Sequence, residues 1–368
     1  VGTPRTELPI DILMSRCACF TSRNYREPEM SARPSFIVNI RDGLRPIDHG
    51  GFADMGGFDH PIGGRHGLTH IGIKYEVAPP GSRTSFPHAE KLEEEFVFVY
   101  GGKPDVWIDG ALHPLEAGDA VAFPAGTGIG HSFLNNSHED MHLIIVGEHE
   151  VPGNQLYYPL NPERMTQFRA WNGAWLEAPK RPLGPHDGKA RAGGRDDGAA
   201  PPRRPGFIAH YSKGLTPFAN PKHTNHGGQS SRMGAAQGMT RIGINYDIVA
   251  PGKRTSRPHA ESAEDEFVLV LKGRPDAWID GHLHQLGEGD AAVFPAGTGI
   301  AHSFLNNSDE DVHLLVIGEH ARAGNRLNYP LNPERMAEFE KLGRAWLDAP
   351  KHELGPHDGM ARAGTRRG

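Results

Sequence analysis

Histidine and acidic side chains recur together along this chain in a pattern that metal or acid–base chemistry requires. The sequence holds 22 histidines, scattered and not gathered into a tag-like run. Two segments carry matched sets, "GSRTSFPHAEKLEEEFVFVYGG" from Gly81 and "GKRTSRPHAESAEDEFVLVLKG" from Gly252. His88 and Glu90 stand two residues apart in the first, as do His259 and Glu261 in the second, so on a strand each pair points to one face. Glu95 and Glu266 open the apolar runs that follow. A carboxylate on the apolar inner wall of a barrel is costly to bury unless a counter-charge meets it, and a divalent cation is such a charge. Only two cysteines occur, Cys17 and Cys19, which excludes a disulfide framework and makes a two-cysteine metal clip depend on partners from elsewhere.

These segments belong to a longer internal repeat. Phe36 aligns with Phe207, Gly81 with Gly252, His131 with His302 and Pro159 with Pro330, always 171 residues apart and without a gap. Between Gly81 and Asn136, 39 of 56 positions are identical to their counterparts. That period is too long for a solenoid and describes a duplicated domain. The expected division is a disordered extension over residues 1–29, a first domain over 30–192, a linker over 193–206 rich in glycine, proline and charge, and a second domain over 207–368. Residues 1–29 lack the apolar core of a signal peptide, and "MSARPSFIVNI" reads like a native start at Met30, so the chain is expected in the cytoplasm.

The elements that must position the histidines read as strands. "EFVFVYGG" and "EFVLVLKG" are short apolar runs closed by glycine; "DVWIDGALHPL" and "DAWIDGHLHQL" place an Asp-Gly pair between two runs, a strong hairpin signal. With "GDAVAFPAGTG", "GDAAVFPAGTG", "HSFLNN" and "HLIIVGE", six or more strands per half favour an all-β jelly roll. After each comes "YPLNPERM", where Asn161 and Asn332 are expected to cap a short helix running to about Trp175 and Trp346. The net charge of -6 gives no electrostatic case for nucleic acid, and no apolar run is long enough for a membrane span.

The two halves resemble the two sequence motifs of the cupin superfamily. The first is a glycine, a pair of histidines flanking one residue, a glutamate and a closing glycine. The second, a glycine, proline-x-glycine, a histidine and an asparagine, appears as "GDAVAFPAGTGIGHSFLNN" and "GDAAVFPAGTGIAHSFLNN", with two extra residues before the histidine. The resemblance implies two tandem jelly-roll barrels and carries the family's metal ligands onto His88, Glu95 and His131, and onto His259, Glu266 and His302. Where the family usually has its second histidine, this chain has Glu90 and Glu261, which stand at the remaining ligand position as a different chemical type.

Two imidazoles with one or two carboxylates and no sulfur suit one divalent transition metal per barrel: iron, manganese or zinc, with the extra carboxylate tilting the set towards manganese or iron over copper. Glu90 and Glu261 are candidates for ligand or general base. Arg83 and Arg254 precede the motif and either pair with Glu90 and Glu261 or bind an anionic substrate. Asn135, Asn306 and the "PAGTG" loops read as turn-forming. His113 and His284 read as structural, the "GPHDG" segments around His186 and His357 as ordered turns or covers for a pocket, and Trp171, Trp175 and Trp346 as packing residues. Phe86 against Arg257 and His70 against Arg241 are expected to make the surroundings of the second motif more cationic.

The fold serves many chemistries, so it does not select one. Two histidines and a carboxylate with open positions suggest a dioxygenase acting on a small metabolite. The alternatives are redox-free metal chemistry, as a hydrolase, lyase or isomerase, and a non-enzymatic binding or storage module. The partner in each case is a small molecule, and the duplicated chain is either a monomeric pseudo-dimer or a homodimer.

Overall fold

The computed structural model describes residues 33–48, 50–149, 151–195, 203–220, 223–320 and 322–366. Cys17, Cys19 and Met30 lie outside them. From Pro34 onward the chain forms one compact unit.

Each half builds a seven-stranded antiparallel sheet facing a three-stranded one. In the first, Asp119–Phe123, Glu95–Gly101, Met141–Glu148 and Ile71–Ala78 lie side by side, and the smaller sheet is His131–Leu134, Asp105–Ile108 and Ala111–Pro114. The second half repeats this with Asp290–Phe294, Glu266–Lys272, Val312–Glu319 and Ile242–Val249. The seventh strand of each large sheet comes from the other half. Ile37–Asn39 pairs with Asp290–Phe294, and Ile208–His210 pairs with Asp119–Phe123. The halves distinguished by the repeat are therefore stitched together by an exchange of their first strands.

The Asp-Gly hairpins form as expected. Ile108 pairs with Ala111, and the two turn residues have φ of +47° at Asp109 and +88° at Gly110, the left-handed pair that a two-residue primed turn demands. The helices are shorter than the sequence suggested, Pro162–Ala170 and Pro333–Lys341. Asn172 (φ +57°) and Gly343 (φ +67°) turn the chain left-handed and stop them there, while the buried Trp175 and Trp346 lie beyond. Asn161 and Asn332 give no side-chain cap hydrogen bond. Trp171 is 72% exposed, so it is not a packing residue. The described ends of the linker are anchored: Arg195 donates to the carbonyls of Lys103, Pro104 and Leu115, and Arg204 grips Asp119 through two 2.8 Å bonds. No helix among the described residues is long and apolar enough to cross a membrane.

Alternation along the strands explains the unbroken apolar runs. Phe96 and Phe98 enter a core shared by both halves, together with Ile71, Ile144, Phe267 and Ile317. Val97 and Val99 enter the first barrel's own interior, with Val106 and Phe133. Both faces are buried, so the period-2 signal is erased.

Across this shared core, carboxylates lock the halves together. Glu94 accepts the backbone N–H groups of Thr240, Arg241 and Ile242 at 2.8–3.1 Å, and the Thr240 hydroxyl at 2.8 Å. Asp265 reciprocates on Thr69 and His70, both at 2.8 Å. Burial alone would push the Glu94 carboxyl up, but these donors outweigh it and hold its pKa below the ordinary value. The resulting stabilisation is present above the unfolded-state pKa of about 4.3 and is lost as pH falls through the lower folded-state value. Replacing Glu94 by Gln is expected to cost about 2–3 kcal/mol at pH 7, as loss of a charged acceptor does, and to flatten the acid limb of stability. Urea unfolding at pH 7 and pH 4 measures both, and an unchanged midpoint at pH 7 would refute the clamp.

Candidate metal centres

The two histidines of each motif meet through the backbone. His88 and His131 exchange N–H···O bonds of 3.1 and 2.9 Å, as do His259 and His302 at 3.2 and 2.9 Å. A bonded cross-strand pair brings side chains together on one face, and the ring centroids lie 4.8 and 5.3 Å apart. Glu95 shares the inward parity of Val97 and Val99, which places its carboxylate in the same interior.

Each imidazole is oriented by a carbonyl two residues back. His88 Nδ1 donates to Phe86 O at 2.9 Å, and His131 Nδ1 to Ile129 O at 3.0 Å. His259 and His302 do the same with Arg257 O and Ile300 O, at 2.8 and 3.1 Å. A carbonyl only accepts, so the proton sits on Nδ1 and the Nε2 lone pair is left for the interior. Phe123 stacks on His131, and Phe294 on His302, both at 3.6 Å between centroids.

Donor atoms of His88, Glu95 and His131 lie within 4.8 Å of one another, and so do those of His259, Glu266 and His302. His131 Nε2 approaches Glu95 Oε1 at 3.6 Å, and His302 Nε2 approaches Glu266 Oε1 at 3.4 Å. Both Nε2 atoms are buried and lack a hydrogen-bond partner among the described residues. A buried, unpartnered nitrogen aimed at a second imidazole and a carboxylate offers a donor to a cation. The donor set fits one divalent metal in each barrel.

Glu90 and Glu261 stand close by but outside these triads. Their Oε1 atoms lie 4.0 and 3.8 Å from His88 Nε2 and His259 Nε2. Each shares a hydrogen bond with a neighbouring acid, Glu93 or Glu264. Burial, followed by the charges of Glu95 and Glu93, pushes Glu90 up to about 9; burial, Glu266 and Glu264 do the same to Glu261. Burial would also raise Glu95, but His131 and His88 reverse this and hold it at about 2. His88 is pushed down to about 4, by burial first and then by His131.

Arg83 does not pair with Glu90. It meets Asp54 at 2.9 Å and gives a second bond to Gly188 O, while Arg254 bonds Gly359 O. His70 and Arg241 surround neither triad. They lie between the halves, on Glu319 at 2.9 Å and Glu148 at 2.6 Å, and line a cavity of about 630 Å³ that shares no residue with the triads. His113 is buried on its strand, the ring nitrogens of His186 and His357 brace their own turns, and Asn135 ties Ala78 O to Glu139 O.

Sequence reasoning missed three features. The Phe123 and Phe294 stack was visible as a repeated "FPAGTG". Tyr158 and Tyr329, within about 6.0 Å of the histidines, recur in "YPLNPERM". Lys74 had no such signal, because its counterpart is Asn245. It faces the first barrel's interior 2.6 Å from Glu76, and its charge reaches Glu95.

Comparison with known proteins follows the same lines. The Cupin domain family matches residues 74–147 and again 245–318. No curated protein matches the chain. Among solved structures, a formate complex of oxalate decarboxylase from Lactobacillus farciminis is similar over 86% of this chain and 95% of its own, at 14% identity and a TM-score of 0.52. A point variant of Bacillus subtilis oxalate decarboxylase covers 86% of this chain and 87% of its own, at 15% identity and a TM-score of 0.50. At such identities the likeness is one of fold. Two matches to one family at the spacing of the repeat, on two barrels of the same build, make this chain a two-barrel member of the cupin superfamily.

Proposed function

We propose that this chain is a metal-dependent enzyme that acts on a small-molecule metabolite by redox-neutral chemistry, of the lyase, hydrolase or isomerase kind. The observation that carries this reading is the position of Glu90 and Glu261. Each sits beside a complete triad of two histidines and a glutamate, hydrogen-bonded to another acid and not drawn into the triad. A metal bound there would polarise a substrate carbonyl or carboxylate. Glu90 or Glu261 would hold a proton at its carboxyl within reach of that substrate, handing it on or taking it up. The two histidines, locked by their Nδ1 bonds, would keep the site's geometry fixed meanwhile. That both solved neighbours are decarboxylases agrees with such a role, though they share only the fold.

Oxygen-dependent chemistry is a second reading. It is favoured by the triads themselves, since two imidazoles and one carboxylate with open positions form the donor set of non-haem iron oxygenases.

Metal analysis is the first test. After reconstitution with Mn(II), Fe(II) or Zn(II), the full chain is expected to hold about two equivalents, and His88→Ala and His259→Ala about one each. Retention of both equivalents in both variants would remove the histidines as ligands. The reaction class is tested by screening small metabolites with and without oxygen. Turnover is expected to persist anaerobically and to fall about 10²–10⁴-fold in Glu90→Gln or Glu261→Gln, whichever marks the working barrel, with metal content unchanged. Oxygen uptake matching turnover would transfer the assignment to the second reading.

A further inference from the structure

The barrels share their triads but not the mouths through which a ligand would reach them. In the second barrel a cavity of about 240 Å³ opens beside His259, and its wall carries the guanidinium groups of Arg254, Arg257 and Arg335 together with His226 and Tyr329. No acidic side chain lines it among the described residues. Arg254 is 7% exposed, and its buried Nε has no hydrogen-bond partner among the described residues. Arg335 is partly met by Glu338, 2.8 Å away. A buried guanidinium donor without an acceptor is costly, and like charges gathered around one cavity repel each other unless an anion joins them.

Arg83 Nε in the first barrel is likewise buried without a hydrogen-bond partner among the described residues, but the charge around it is answered internally. Phe86 replaces Arg257 in the repeat, and its ring lies 4.5 Å from the Arg83 guanidinium, 4.4 Å from that of Arg164, and edge-on to Phe52. Asp54 meets Arg83 at 2.9 Å. Its counterpart is the neutral Asn225, which bonds the carbonyls of Gly252 and Ala361. The correspondence is structural as well as sequential, because Asp54 O accepts Arg83 N just as Asn225 O accepts Arg254 N. Met55 is matched by His226. Three changes thus run one way, from apolar and acidic in the first barrel to cationic and neutral in the second. Lys74 does not restore the balance, since Glu76 already meets it.

We infer that the second barrel, and not the first, takes a small organic anion whose carboxylate or phosphate docks on Arg254, Arg257 and Arg335 beside the metal position at His259. The planar guanidinium fork matches both anions. This rests on the metal-dependent reading above only in treating His259 as a ligand.

Calorimetric titration of the full chain, after incubation with Mn(II), uses succinate and inorganic phosphate as separate probes. The expected result is one site per chain whose affinity falls with added salt. Arg257→Phe, which installs the first barrel's residue, is expected to weaken binding at least tenfold, Arg335→Gln to weaken it less, and Phe86→Arg to leave it unchanged. Thermal melts of each variant show whether it is folded. Succinate binding alone marks a carboxylate ligand, and phosphate binding alone a phosphoryl one; either supports the inference. Two equal sites, no site, or full affinity in folded Arg257→Phe and Arg335→Gln would overturn it. Metal content of the same samples separates the two readings. One anion site in a protein that takes up no metal keeps this inference and ends the metal reading; two metal equivalents without an anion site end this inference alone.

Discussion

Phe96 and Val97 are neighbours in sequence and face opposite ways, one into the core shared by the halves and the other into the first barrel. The same holds for Phe267 and Val268 in the second. Burying side chains of this size contributes about 1.5–3 kcal/mol each, and both faces of the large sheets draw on it. The arrangement also fixes register. A slip of one residue would exchange the faces and carry Glu95 into the shared apolar core, where no imidazole meets it. The position of a metal-capable carboxylate is thus set by the packing of the phenylalanines and valines beside it.

The acidic run before that strand shows how finely the constraint divides labour. Glu93 accepts Val151 N and shares a hydrogen bond with Glu90; Glu94 clamps the second half; Glu95 faces the two histidines. Three chemically equivalent residues in a row obtain three environments because the chain changes direction and enters a two-sided sheet there. "EEE" in the sequence carries no mark of this. The inward one was marked by the resemblance to the cupin motif, but the clamp depends on Thr240 and its neighbours, about 146 positions away, and only the assembled halves reveal it.

What could be read from sequence was what repeats. The barrels, the Asp-Gly hairpins and the two triads each appear twice at one spacing, so local pattern and duplication reinforce one another. Features that join the halves were illegible for the opposite reason. Ile37–Asn39 is a short apolar segment like many others, and nothing local states that its partner is Asp290–Phe294. His70 against Arg241 was read as a difference in the surroundings of the motifs; the sheet turns their strand ends toward the other half instead. The missing Asn161 cap has a similar origin. Pro162 starts the helix as the sequence suggests, but Asn161 Oδ1 is buried without a hydrogen-bond partner among the described residues and makes no bond to the first-turn amides.

A backbone carbonyl orients each of the four site histidines, joined at His88 and His259 by the hydroxyls of Ser85 and Ser256 at 3.3 and 3.4 Å, and this explains how the two barrels could diverge without losing the triads. His88 is held by the carbonyl of Phe86, and His259 by the carbonyl of Arg257. A carbonyl is present whatever the side chain, so residue 86 or 257 is free to be an aromatic plug or a cation while the ring behind it keeps its tautomer and direction. The interior strand shows the same freedom with a different cost. Lys74 and Glu76 neutralise each other in the first barrel; in the second, Asn245 leaves Asp247 without that cation, and burial pushes its carboxyl up to about 6. Losing an interior lysine while gaining a mouth arginine moves positive charge from behind the triad to its entrance. Orientation of the histidines by the main chain is what permits that shift, and it lets one metal-capable donor set stand beside two different surroundings.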